Sequence, residues 1–190
     1  EILQETISSL TNDGYQFIGM DHFARPDDEL AIAQREGHLH RNFQGYTTHG
    51  DSDLLGMGVS SISMIGDTYA QNQKDLKAYY ASVEEKGNAL WKGLAMTEDD
   101  CIRRDVIKTL ICNFSLDFAP IEKAHNIRFA EYFAEDLKLL IPLEKDGLVT
   151  IDDKGIDVTG KGRLLIRNIC MCFDVYLRQQ ARRQQFSRVI

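Results

Sequence analysis

The run from His38 to Thr48, HLHRNFQGYTT, gathers the side chains best suited to hold a ligand. Two histidines, one arginine, two amides and two aromatics share it with a single glycine. Aromatic faces stack, amides donate and accept without charge, and Gly45 allows a backbone to approach a ligand closely. That set fits a flat ligand with polar edges. The bland alternative is a rigid loop whose polar groups satisfy one another. His38, His40, His49 and Asp51 form a weaker candidate set, a metal site, of the short-motif kind that also matches by chance. Cys101, Cys112, Cys170 and Cys172 stand among Ile, Leu, Met and Phe and read as buried free thiols of a reducing compartment. Cys170 and Cys172 are two apart, so on a helix they point away from each other, and no cysteine pair has the spacing of a zinc or cluster site.

The elements that must position these groups follow from periodicity and punctuation. Residues 1–12 read as a helix stopped by Asp13-Gly14, then residues 15–20 as a short strand with Asp21-His22 at its end. Arg25-Pro26-Asp27-Asp28 opens a helix that runs to about Glu36 and closes at Gly37. Residues 38–51 are expected as an ordered loop, and residues 55–65 as a strand of small residues that includes Ile62. That rhythm is α/β, in which chemistry gathers at the C-terminal ends of strands.

Beyond Gly66 the character changes. Residues 73–86 read as an exposed helix ending at Gly87, and Thr97-Glu98-Asp99-Asp100 as a capping box. The helix it opens carries Ile102, Val106 and Leu110 on one stripe, with Ile107 and Ile111 beside it. A helix over 129–140 is expected to bury Phe129, Phe133, Leu137 and Leu140. A hairpin is expected around Asp152-Asp153-Lys154-Gly155. A long final helix capped by Thr159 then turns Leu165, Ile169, Cys172, Phe173 and Tyr176 inward. This order matches a winged helix, but the would-be reading helix carries Glu131, Glu135 and Asp136, which repel phosphate.

Composition bounds the classes. The chain has 190 residues, 43% hydrophobic and 27% charged, as soluble globular proteins do, with room for one large or two small domains. No apolar stretch approaches the ~20 residues of a membrane span, and no secretory leader is visible, so a cytoplasmic location without membrane contact is expected. The chain lacks an initiator Met and opens inside an amphipathic pattern (Ile2, Leu3, Ile7, Leu10), which reads as a cut from a longer polypeptide. Net charge is −7, yet the residues from Thr159 onward carry seven Lys/Arg against Asp174 alone. That basic end fits an anionic ligand or the protein's own acidic remainder; the acidic balance argues against nucleic acid.

Gly19-Met20-Asp21-His22-Phe23-Ala24-Arg25-Pro26-Asp27-Asp28-Glu29-Leu30 and Leu39-His40-Arg41-Asn42-Phe43-Gln44-Gly45-Tyr46 resemble the bacterial oxygen-independent coproporphyrinogen III oxidases. So do Leu54-Leu55-Gly56-Met57-Gly58-Val59-Ser60, Asp100-Cys101-Ile102-Arg103-Arg104-Asp105-Val106-Ile107 and the run from Arg163 to Phe173. The resemblance covers essentially the whole chain and corresponds to the C-terminal portion of such an enzyme. It implies the last strands and helices of a radical S-adenosylmethionine (partial TIM-like) barrel over residues 1–95. A mostly helical domain with a winged-helix-like hairpin, covering the substrate cleft, would follow over 96–190.

The resemblance also implies two S-adenosyl-L-methionine molecules per active site and a [4Fe–4S] cluster, whose C-x-x-x-C-x-x-C motif this chain does not contain. The implied reaction converts two propionates of coproporphyrinogen III to vinyls, giving protoporphyrinogen IX in heme biosynthesis, by way of a 5′-deoxyadenosyl radical. An unidentified electron acceptor takes part, and the full-length enzyme is expected as a monomer. Carried over by position, Phe43 and Gln44 match the active-site loop near S-adenosylmethionine, with Gln44 the catalytic candidate, and Ile62 matches a contact to the second S-adenosylmethionine. Ile62 also reads as ordinary core. Arg41, Arg163 or Arg167 is expected to take a substrate propionate. The 190 residues alone are expected to be inactive, to bind S-adenosylmethionine poorly and to self-associate through an exposed apolar face. The rival readings are a heme chaperone paralogue without oxidase activity and a winged-helix nucleic-acid-binding module.

Overall fold

Local hydrogen-bonding chemistry sets most element ends in the computed structural model, which describes residues 2–50 and 52–183. Helix α1 (Ile2–Asn12) stops at Gly14, whose φ of +88° suits a residue without a Cβ. Strands β1 (Gln16–Gly19) and β2 (His22–Ala24) pair antiparallel through a tight turn at Met20-Asp21. Helix α2 (Glu29–Arg35) starts where the Asp28 carboxylate accepts from the Leu30 N–H. Strands β3 (His40–Asn42) and β4 (Gly45–Thr47) follow. Strand β5 (Ile62–Ile65), strand β6 (Thr68–Asn72), helix α3 (Leu76–Lys86) and strand β7 (Leu90–Ala95) come next. Asp75 caps α3 through the Ala78 N–H, and Gly87 ends it in the left-handed conformation.

Helix α4 (Glu98–Asn113) opens on the expected capping box: Asp100 accepts from the Thr97 N–H at 2.8 Å, and Thr97 Oγ1 accepts from the Asp100 N–H at 3.2 Å. Strand β8 (Ser115–Asp117) and helices α5 (Phe118–His125), α6 (Phe129–Tyr132) and α7 (Ala134–Lys145) lead to the hairpin of β9 (Val149–Ile151) and β10 (Gly155–Val158). The Asp152 carboxylate accepts from the Lys154 and Gly155 N–H groups, which holds its pKa below the usual carboxylate range. Helices α8 (Gly160–Arg163), α9 (Ile166–Met171) and α10 (Val175–Arg183) close the described chain.

Contacts divide the chain into two compact units, the described parts of 1–48 with 102–190, and 49–101. In the first unit β8-β10-β9 form a three-stranded antiparallel sheet under a core that includes Ile102, Val106, Leu110, Phe129, Phe133 and Phe173. Phe118 stacks on Phe129 at 4.0 Å between ring centroids, and Phe173 meets Phe133 edge-on at 5.5 Å. Gly162 is required at its place, because a Cβ there would collide with the Leu148 carbonyl oxygen. A smaller cluster of Ile18, Ala31, Ala33, Leu39 and Cys112 packs α2 and β1 against the end of α4. The second unit holds the antiparallel sheet β5-β6-β7 and α3.

Several expectations need correction. The ordered loop expected over 38–51 contains regular structure, since 40–47 form a hairpin. The strand expected over 55–65 is confined to β5, because positive φ at Gly58 and Ser60 interrupts extension. Strands β6, β7 and β8 and helix α5 were not foreseen. The helix expected over 129–140 breaks at Phe133, and the long final helix is three short ones. Burying Ile166, Ile169, Cys170 and Phe173 around the core takes a bent path, and Asp174 restarts the chain by accepting from the Tyr176 and Leu177 N–H groups. Leu165 and Tyr176 consequently face outward, 42% and 47% exposed. Glu1, Asp51 and the tail from 184 onward lie outside the described residues. All strand pairs among the described residues are antiparallel.

Candidate functional site

The HLHRNFQGYTT segment folds because its alternation and its turn chemistry agree. His40 pairs with Thr47, Arg41 with Tyr46 and Asn42 with Gly45, leaving Phe43 and Gln44 as a two-residue tip. The Asn42 side-chain oxygen accepts from the Gln44 N–H at 2.8 Å, and Gly45 takes φ +136° to complete the turn. Phe43 is 54% exposed, and the Gln44 amide is exposed with no side-chain partner among the described residues. The tip therefore presents one aromatic face and one neutral donor–acceptor group outward.

Tyr46 anchors the hairpin. Its hydroxyl donates to the Ile111 carbonyl at 3.4 Å, in the last turn of α4, where helix carbonyls lack helical partners. The His22 ring meets it edge-on at 5.2 Å, and the Arg41 guanidinium lies 5.5 Å from its ring centroid. Gly19 is bare because a Cβ there would collide with the Tyr46 hydroxyl. Burial first, then the neighbouring Cys112, pushes the Tyr46 phenol up to about 12, so it stays a neutral donor. Gln34 clamps the same corner: its amide N–H groups reach Ile18 O at 2.6 Å and Cys112 O at 2.9 Å, and its oxygen accepts from Gln16 at 2.9 Å.

Arg41 carries a buried Nε without a hydrogen-bond partner and has no carboxylate partner among the described residues. Arg163 lies over the Phe114 ring at 4.8 Å, and Arg167 is exposed. Asp21 Oδ1 is 2.8 Å from His22 Nδ1, and Glu36 Oε2 is 3.6 Å from His38 Nδ1. Ile62 begins β5 in the other unit, half-buried, paired with Gln71.

Among the described residues no group of three or more His, Cys, Asp or Glu is placed to hold a metal ion. Cys112 and Cys170 are buried thiols pushed up to about 12 by desolvation, and Cys172 to about 11, so they are protonated and poor ligands. Cys101 is half-buried. Cys170 points to the Ile107 carbonyl and Cys172 to the Leu139 carbonyl, in keeping with side chains two apart on a helix. The described residues therefore do not fit an iron–sulfur cluster, whereas Phe43 and Gln44 fit a flat, polar-edged cofactor.

The sequence reading missed Gln34 and the anchoring role of Tyr46. The Gln34 contact to Cys112 spans 78 residues and leaves no local signal. The Arg41–Tyr46 pair was accessible from Asn42 and Gly45 flanking a two-residue turn.

The HemN C-terminal domain family matches residues 96–165. An oxygen-independent coproporphyrinogen III oxidase of Escherichia coli (strain K12) is 79% identical over 190 residues, all of this chain and 42% of that protein. One of Salmonella typhimurium is 77% identical over the same span, again 42% of its length. A solved structure of coproporphyrinogen III oxidase (HemN) from Escherichia coli, described as a radical SAM enzyme, matches with a TM-score of 0.89 at 78% identity. That match covers 92% of this chain and 40% of the other. The chain thus spans about two fifths of the curated relatives it matches. In sequence along its whole length, and in fold, this chain is similar to about two fifths of the length of the oxygen-independent coproporphyrinogen III oxidases.

Proposed function

We propose that this chain is the C-terminal part of an enzyme that converts coproporphyrinogen III to protoporphyrinogen IX without oxygen, turning two propionates into vinyls. The observation that carries this reading is the Phe43–Gln44 tip, held outward by Tyr46 on a chain 79% identical to such an oxidase. When bound in the full-length enzyme, S-adenosylmethionine with a [4Fe–4S] cluster supplies the hydrogen-abstracting radical. The cluster ligands belong to the part of the enzyme beyond these residues.

The chain's own residues bind and orient. Phe43 offers a stacking face, and Gln44 hydrogen-bonds without supplying acid, base or charge. Ile62 offers an apolar contact to a second S-adenosylmethionine. Arg41, which has no carboxylate partner among the described residues, suits a bidentate pair with a propionate. On this reading residues 1–95 end the catalytic barrel, and 96–190 form a helical domain with a winged-helix-like hairpin; the family match over 96–165 supports the second assignment. The enzyme acts as a cytoplasmic monomer with an electron acceptor still to be identified.

The test is an anaerobic assay of the full-length, cluster-reconstituted protein with coproporphyrinogen III. Protoporphyrinogen IX formation is expected, and Gln44→Ala should lower turnover by about tenfold or more with the thermal midpoint unchanged. Absence of conversion by the wild-type protein, with stoichiometric heme binding instead, overturns the reading in favour of a heme-carrying paralogue.

A further inference from the structure

A cleft of about 430 Å³ opens in the first unit, and none of its walls comes from the β3–β4 hairpin. Tyr15, Phe17 and Phe114 supply aromatic surface, and Arg35, Arg163 and Asn113 supply polar groups; no acidic residue lines it. That volume lies in the range of small-molecule sites and suits a ligand of one or two rings.

Three independent features mark the cleft. First, both guanidiniums lack a carboxylate partner among the described residues. Arg35 donates only to neutral oxygens, Gln16 Oε1 and Pro26 O, each at 2.7 Å, and Arg163 rests on the Phe114 ring. Two uncompensated cations facing one cleft in a chain of net charge −7 create a local anion preference. Second, Asn113 Oδ1 is buried without a hydrogen-bond partner, a costly state that a ligand donor relieves. Third, Phe114 adopts φ +57°, a left-handed conformation unfavourable for a bulky side chain and concentrated at functional positions.

We propose that this cleft binds a small organic anion, with a ring against Phe17 and Tyr15, its acid group on Arg163 and Arg35, and a donor toward Asn113. The site uses neither Phe43, Gln44 nor Ile62, and of the residues expected to serve the oxidase it shares only Arg163.

The experiment is ¹⁹F NMR titration of the full-length protein with 4-fluorobenzoate and with 4-fluorophenyl phosphate, which separates carboxylate from phosphate ligands; 4-fluorobenzyl alcohol is the neutral control. Saturable binding of at least one anion and none of the alcohol is expected. Arg163→Gln should weaken binding by about tenfold or more, the loss expected for a charge-assisted hydrogen bond. Arg35→Gln serves as the second variant should Arg163→Gln fail to fold. Binding of neither anion, equal binding of the alcohol, or affinity unaltered by the arginine substitutions overturns the proposal.

Discussion

The Tyr46 hydroxyl donates to the Ile111 carbonyl at 3.4 Å, tying β4 to the last turn of α4 across 65 residues of sequence. One phenol thereby satisfies an end-of-helix carbonyl, carries the Arg41 guanidinium and meets the His22 ring. Tyr46→Phe keeps the ring and removes only a long hydrogen bond, so its cost should be about 0.5 kcal/mol. Tyr46→Ala also removes the ring and should cost about 3 kcal/mol. Urea unfolding of the two variants measures the difference; equal losses would mean the ring packing contributes nothing.

Asp136 is 2% exposed and receives Arg103 at 2.8 Å and Arg178 at 2.9 Å, joining α4, α7 and α10. Asp136→Asn removes the charge that both guanidiniums face, and should cost about 3 kcal/mol, since uncompensated partly buried cations remain. Arg178→Gln should cost less, because Arg103 keeps the carboxylate paired. Chemical denaturation of both variants gives the ranking.

Gly162→Ala drives a methyl group into the Leu148 carbonyl where α8 leaves β10. Backbone must move, so the expected loss is about 2 kcal/mol or more. The denaturation midpoint should fall with its slope unaltered.

Alkaline pH should destabilise the fold. Cys112 and Cys170 rise from 9.0 to about 12, and Tyr46 from 10.0 to about 12, all chiefly through burial. Above about pH 9 the unfolded chain releases these protons while the folded chain keeps them, so stability falls as pH rises toward 12. Below 9 both states hold the protons and the effect vanishes. Urea midpoints at about pH 8 and pH 10.5 should show the drop, and Cys112→Ala should reduce it.

Much was legible from local chemistry. The caps at Asp28, Thr97 and Thr159, the stops at Gly37 and Gly87, and the Ile102–Val106–Leu110 stripe all emerge from contacts within a few residues. The resemblance in the runs around Arg25 and Phe43 points to the same oxidases from sequence alone. The segment around Phe43–Gln44 stands out in the sequence as a candidate site but reads as a loop, because its strands are only three residues long.

Tertiary structure decided the rest. Whether Leu165 and Tyr176 face the core depends on where the final helix breaks, and the burial of Phe173 against Phe129 and Phe133 sets that break. Gln34 and Tyr46 meet consecutive carbonyls of α4, at Cys112 and Ile111, across 78 and 65 residues. Side-chain spacing reports only neighbours along the chain, whereas these anchors, and the two arginines facing one cleft, exist only once distant segments have packed together.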